Sequence, residues 1–123
     1  MKGEDNMKYL EREDILNAKD ITEEDFDCPK WGGSIKIKSL SLEKRQQVRL
    51  ASLNAAGQLD ETKLSIATFI EGVVQPKFTA TDYDKLKSRD YGTMIAVLNR
   101  ILEISGIGVD LKNASKATEP GAK

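Results

Sequence analysis

A chain of 123 residues holds one domain with one hydrophobic core and is too short for two of ordinary size. Its composition, 39% apolar and 32% charged, is lean in core and rich in surface, which predicts disordered ends around an ordered body of about a hundred residues. There is no histidine and one cysteine, which excludes the commonest general base, the Ser-His-Asp and Cys-His nucleophile pairs, an internal disulfide and a four-cysteine metal site.

Net charge is −1, so no global field draws the chain to nucleic acid or to anionic lipid. The balance conceals segregation. Residues 1–29 hold four Lys/Arg against ten Asp/Glu, residues 30–59 hold six against one, and residues 60–123 hold nine of each. An acidic arm therefore precedes a basic segment. The polar, acidic N-terminus lacks the apolar stretch of a signal peptide, and the longest apolar run, Met94 to Leu98, falls far short of the roughly 20 residues that span a bilayer. These features predict a soluble intracellular protein.

Residues 1–8 show no periodicity and are expected to be disordered. From Tyr9 to about Ala18 the sequence predicts a short charged helix, apolar only at Leu10, Ile15 and Leu16, which must dock on something to persist. Between Phe26 and Leu40 the period changes to two. Phe26 and Cys28 alternate with Asp25 and Asp27, Ile35 and Ile37 alternate with Lys36 and Lys38, and Gly32-Gly33 lies between them, which predicts a β-hairpin with acids facing bases across it. Its apolar face should pack on helices.

Ser41 is a suitable N-cap for a helix to about Ala56, with Leu42, Leu50 and Leu53 on the inward stripe and Lys44, Arg45 and Arg49 facing away. Asp60 caps a helix expected to run to about Gln75, just before Pro76, with Ile66, Phe69, Ile70 and Val73 at core spacing. Gly72 within it signals close packing against a neighbouring backbone. Thr81 opens a short helix to about Arg89, with Asp84 completing a capping box. A last helix over about 90–105 carries Tyr91, Met94, Ile95, Leu98, Ile101 and Leu102 on one stripe. The polar, Pro- and Gly-punctuated residues 108–123 are expected to form a disordered tail. The fold class implied is mainly α: a small helical bundle with one N-terminal β-hairpin.

No motif reaches enzymatic specificity, and no cofactor or metal site is expected. Cys28 reads as a small core residue. Gly32-Gly33 lacks the partners of a phosphate loop, and the acidic runs lack the order of a calcium loop. Lys36, Lys38, Lys44, Arg45 and Arg49 with Trp31 offer charge and a stacking ring, yet single-strand binders carry several aromatics. Pairing of these cations with the acidic arm is the simpler reading, so neither nucleic acid nor membrane is expected as a partner.

The order of features resembles the tail assembly chaperones of long-tailed phages and prophages. The resemblance rests on Leu16-x-Ala18-Lys-Asp20-Ile21, on Cys28-Pro29-Lys-Trp31-Gly32-Gly33-Ser-Ile35-x-Ile37-Lys38-x-Leu40-Ser41 leading into a basic helix, and on Phe78-Thr-x-x-Asp82 and Leu86-Lys before a helix ending Glu103-Ile104-Ser105-Gly106. It spans roughly residues 14–107. It departs from the family pattern at Lys30, where an acidic residue commonly precedes the tryptophan, so a contact made there differs in charge.

The resemblance implies a non-enzymatic protein that binds the tape measure protein, keeps it soluble and helps the major tail tube protein polymerise around it. Such proteins act in the cytoplasm of the bacterial host and do not remain in the virion. A small structural component of the tail or head-tail junction is the alternative. The candidate partner-binding residues are Trp31, Gly32 and Gly33 at the hairpin tip, with Arg45 and Arg49 on the helix that follows. Trp31 either presents a binding surface or folds back as a plug over the core. The apolar stripes of the two long helices either close within one bundle or leave a face for self-association.

Overall fold

The computed structural model describes residues 8–107. The expected disordered N-terminus, residues 1–8, lies outside that range except for Lys8, and the expected tail, residues 108–123, lies outside it entirely.

The elements run α1 (Arg12–Leu16), β1 (Glu23–Cys28), β2 (Gly33–Lys38), α2 (Leu42–Ala51), α3 (Glu61–Gly72), β3 (Val73–Gln75), α4 (Tyr83–Lys87) and α5 (Tyr91–Ile104). The hairpin of β1 and β2 does not stand alone. β3 adds to its open edge, giving a three-stranded antiparallel sheet of order β1-β2-β3. The expectation of a mainly α helical bundle is therefore corrected to a mixed α/β domain, in which the sheet lies against helices α3 and α5.

The physical reason lies at Gly72. A helix through Gln75 would continue the apolar stripe, but α3 ends at Gly72 and the chain turns extended at Val73, with φ −95° and ψ 117°. Val73 and Val74 are β-branched and favour a pleated surface, and Val73 pairs with Ile37 of β2. Gly72 is a contact of close approach, although to a side chain and not to a backbone. A Cβ built there would lie 2.5, 2.8 and 3.0 Å from Ile101 Cδ1, Cγ2 and Cγ1.

The hairpin register pairs Asp25 with Lys36, whose side chains meet at 3.1 Å, as the charge alternation predicted. Asp27 instead faces Ser34, and Lys38 faces Glu23. The inward face is formed as expected: Cys28 and Ile37 are buried, and Phe26 and Ile35 pack against the same core as Ile66, Phe69, Val97 and Ile101. Glu24 reaches α5, where its two carboxylate oxygens accept from Nε and Nη2 of Arg100, while Arg100 Nη1 also donates to Glu103 at 2.8 Å. This fork fixes the hairpin to the last helix. At the far end of β2, the Leu40 N–H donates to Ser105 Oγ at 2.8 Å, closing the same junction.

Helix α2 faces the opposite way to its leucine pattern. Val48 is its one buried residue, Lys44 and Arg45 are half-buried, and Leu42 and Leu50 are 89% and 60% exposed. The helix also stops early, at Ala51 and not at Ala56. Ser52 Oγ donates to the Val48 carbonyl at 2.6 Å, and the Asn54 side chain accepts from the N–H groups of Ala56 and Gln58, so the chain turns instead of winding on. The caps Ser41 and Asp60 form as expected, accepting from the N–H of Lys44 and of Lys63. The expected capping box sits two residues earlier than Thr81 and Asp84: Thr79 and Asp82 form it, and it opens a 3-10 turn over Ala80–Asp82 that leads into α4. On α5, Met94, Val97, Leu98 and Ile101 are buried, whereas Tyr91 is exposed.

Candidate functional site

The hairpin tip is built by four residues. Pro29 opens a 3-10 turn over Pro29–Trp31, and Gly32 closes it in the left-handed region, at φ 85°, with its N–H donating to the Pro29 carbonyl at 3.1 Å. A residue with a Cβ would be strained at Gly32, whereas Gly33 is an ordinary strand residue. The turn directs the Trp31 ring back over the helices. It meets Phe69 edge to face, ring centroids 6.1 Å apart and planes at 81°, and Phe69 in turn packs on Phe78 at 5.5 Å.

Trp31 packs over the core, as the plug reading expects, and keeps part of its surface at a cleft. It is partly buried against the core, and its remaining surface forms one wall of an open cleft of about 540 Å³. Phe69, Phe78 and Leu86 continue the apolar lining, and Asp82, Lys85 and Arg89 form the rim. Asp82 is engaged already, since its carboxylate accepts from the Thr79 N–H at 2.9 Å. The rim therefore presents two cations beside an aromatic wall. Lys30, next to Trp31, points to the base of α5 and pairs with Asp90 at 3.2 Å. Asp90 sits below the ordinary carboxylate range because the Thr93 hydroxyl and N–H donate to it and Lys30 lies beside it.

Arg45 and Arg49 do not join this cleft. They line a second and smaller one, of about 150 Å³, floored by Val48, Leu64, Leu98 and Leu102, and the two clefts share no lining residue. The candidate surface expected from Trp31 with Arg45 and Arg49 is in fact two surfaces. Of the other cations considered for nucleic acid, Lys36 and Lys44 pair with Asp25 and Glu71. The expected pairing with the acidic residues 1–29 is therefore met at Lys36, through Asp25, while among the described residues no ion pair joins the basic segment to α1.

Cys28 is 1% exposed, and burial raises its thiol above the usual range, as suits a core residue. Among the described residues no group of three His, Cys, Asp or Glu side chains could hold a metal ion, and no helix is long and apolar enough to cross a membrane.

Compared with family models, curated proteins and solved structures, the chain matches none of them.

Of the cleft residues, sequence reasoning assigned only Trp31 to a site and missed Phe69, Phe78, Asp82, Lys85, Leu86 and Arg89. A signal was present: an aromatic residue directly before a Thr-x-x-Asp box, with Tyr83 four residues after the cap, is the pattern of a hydrophobic staple, which fixes a helix entry against its neighbours. Both Phe78 and Tyr83 pack on the core.

Proposed function

We propose that this protein is a non-enzymatic tail assembly chaperone of a long-tailed phage or prophage. It holds apolar segments of the tape measure protein in the host cytoplasm while the tail tube forms around them, and it is left out of the finished virion. The observation that carries this reading is the open cleft walled by Trp31, Phe69 and Phe78 and rimmed by Lys85 and Arg89. An aromatic wall takes apolar side chains without demanding a particular sequence, and cations at the rim favour client segments that carry acids. The hairpin motif that resembles the family is the same motif that sets Trp31 over this cleft.

Co-expression with the tape measure protein of the same phage tests the reading. The wild-type chain should raise that protein's solubility and co-purify with it, and the emission of Trp31, the lone tryptophan, should shift to the blue on binding. Trp31→Ala should abolish holding and cost about 2–4 kcal/mol of stability, somewhat below the loss of about 3–5 kcal/mol for a fully buried aromatic. Lys85→Glu with Arg89→Glu, both exposed, should weaken holding at a stability cost of about 1 kcal/mol, from the lost Arg89 bond to the Lys85 carbonyl and the acids at the end of α4. Failure of the wild-type chain to solubilise or co-purify the tape measure protein would overturn the reading. Recovery of the chain in purified virions would make it a structural component of the tail or head-tail junction instead.

A further inference from the structure

Among the described residues, two complementary surfaces are left uncovered. Helix α1 buries none of its residues: Ile15 and Leu16 are 60% and 61% exposed, as is Leu10 just before the helix at 61%, and they are interleaved with Glu11, Glu13 and Asp14. A helix of this length has no stability of its own in water and needs a surface to lie on. The second cleft offers the converse pattern, an apolar floor of Val48, Leu64, Leu98 and Leu102 with Arg45 and Arg49 at its edge. Neither arginine has an acidic partner within 4.0 Å among the described residues.

The point of departure of the arm is also fixed. Thr22 is held by Ser39 through two hydrogen bonds, from Thr22 N–H to Ser39 Oγ at 2.9 Å and from Ser39 N–H to the Thr22 carbonyl at 2.8 Å. Leu40, the next residue, lines the cleft. The arm therefore leaves the body at the lip of the cleft, on a tether from Asn17 to Thr22 that spans at most about 20 Å. Among the described residues of one chain the arm lies off the cleft, and both surfaces stay open.

We infer that the Arg45/Arg49 cleft takes α1 of a second copy of this chain, two molecules exchanging their acidic arms about a two-fold axis. Leu10, Ile15 and Leu16 of one chain fill the apolar floor of the other, and Glu11, Glu13 and Asp14 meet its arginines. Such an exchange is self-complementary and closed, so it stops at the dimer. It leaves the Trp31 cleft open on each chain, and so it stands independently of the proposed client.

Sedimentation equilibrium of the full chain tests the exchange. The wild type should dimerise, and Ile15→Glu with Leu16→Glu should yield a monomer whose circular dichroism and Trp31 emission stay native, because both positions are exposed. Arg49→Glu removes the contact at both symmetry-related clefts and should weaken the dimer about a hundredfold, roughly tenfold for each lost charge-assisted contact, and Glu13→Lys in the same chain should restore it. A chain carrying Leu16→Cys mixed with one carrying Ser65→Cys should form a disulfide between chains. A monomer at every concentration overturns the inference, as does a dimer indifferent to the arm substitutions. Cross-linking only when both cysteines sit in one chain overturns it as well, by placing the arm on its own cleft.

Discussion

The close approach of α3 to α5 at Gly72 sets up a substitution in which two effects of opposite sign compete. Gly72→Ala removes backbone freedom from the unfolded chain and improves helix propensity, a gain of up to about 1 kcal/mol. Against it stands Ile101, whose Cδ1, Cγ2 and Cγ1 would lie 2.5, 2.8 and 3.0 Å from the new Cβ, where carbon atoms prefer about 3.5–4.0 Å. The side chain would have to retreat by about 1 Å, and Ile101 is 0% exposed, packed among the residues that join the sheet to the helices. Overpacking of this kind costs about 1–3 kcal/mol, so the net expectation is a loss of about 1–2 kcal/mol. For a domain of about 100 residues that lowers Tm by roughly 5–15 °C. The assay is thermal and urea unfolding followed by circular dichroism, extended to a double-mutant cycle with Ile101→Val. Shortening Ile101 removes the nearest clashing atom, so the double variant should lose about 1 kcal/mol less than the two single losses summed. A Gly72→Ala protein as stable as wild type, with simple additivity in the cycle, would refute the argument that this glycine is required by contact.

The reversed orientation of α2 predicts that Leu42→Gln changes stability by less than about 0.5 kcal/mol, whereas Val48→Ala costs about 1–3 kcal/mol; urea titrations giving the opposite order would restore the leucine stripe to the core. Cys28 should react with a thiol-specific disulfide reagent far more slowly in the native protein than in urea, since the thiol is buried and its ionisation is disfavoured; rapid native labelling would place it at the surface. Glu24 and Asp90 are both held below ordinary carboxylate values, Glu24 chiefly by the hydrogen bond from Arg100 and Asp90 chiefly by that from the Thr93 hydroxyl. Between the folded and unfolded pKa the unfolded chain binds more protons. The stabilisation is therefore complete above the unfolded carboxylate range of about 4 and is lost as pH falls through the lower folded values. Glu24→Gln should flatten the acid limb of stability against pH, and an unchanged limb would remove the Arg100 contact from the account.

Local chemistry was legible in the sequence wherever one residue decides one backbone feature. Ser41 and Asp60 cap their helices, Gly32 takes the left-handed turn, and the alternation around Cys28 and Ile37 gives the buried face of the hairpin. What was not legible depended on which of two patterns prevailed at a boundary. Across Gly72-Val73-Val74 a helical period and a β-branched pair overlap, and the choice is made by β2, whose open edge satisfies the backbone of Val73 and Gln75. On α2 the leucines mark an apolar face correctly and its direction wrongly, because Val48 with the half-buried stems of Lys44 and Arg45 covers α3 instead. The joint site expected from Trp31, Arg45 and Arg49 separated for the same reason, since sequence proximity across Ser41 says nothing about which face of the next helix turns inward.

The separation of the two clefts bears on how a small chain could hold a client and itself at once. A protein that presented all its apolar surface in one patch would have to choose between self-association and client binding, because the same area would serve both. Here the aromatic wall hangs from a hairpin tip fixed by Gly32, Phe69 and the Lys30–Asp90 pair, while the arginine cleft is formed by α2, α3 and α5 at the other end of β2, where Leu40 meets Ser105. The acidic arm is tethered at the second site and is too short to reach far beyond it. Arm exchange would then hide the sticky segment of each molecule without covering Trp31. The acid and base segregation that the near-neutral total conceals becomes the means by which the arm selects one cleft over the other.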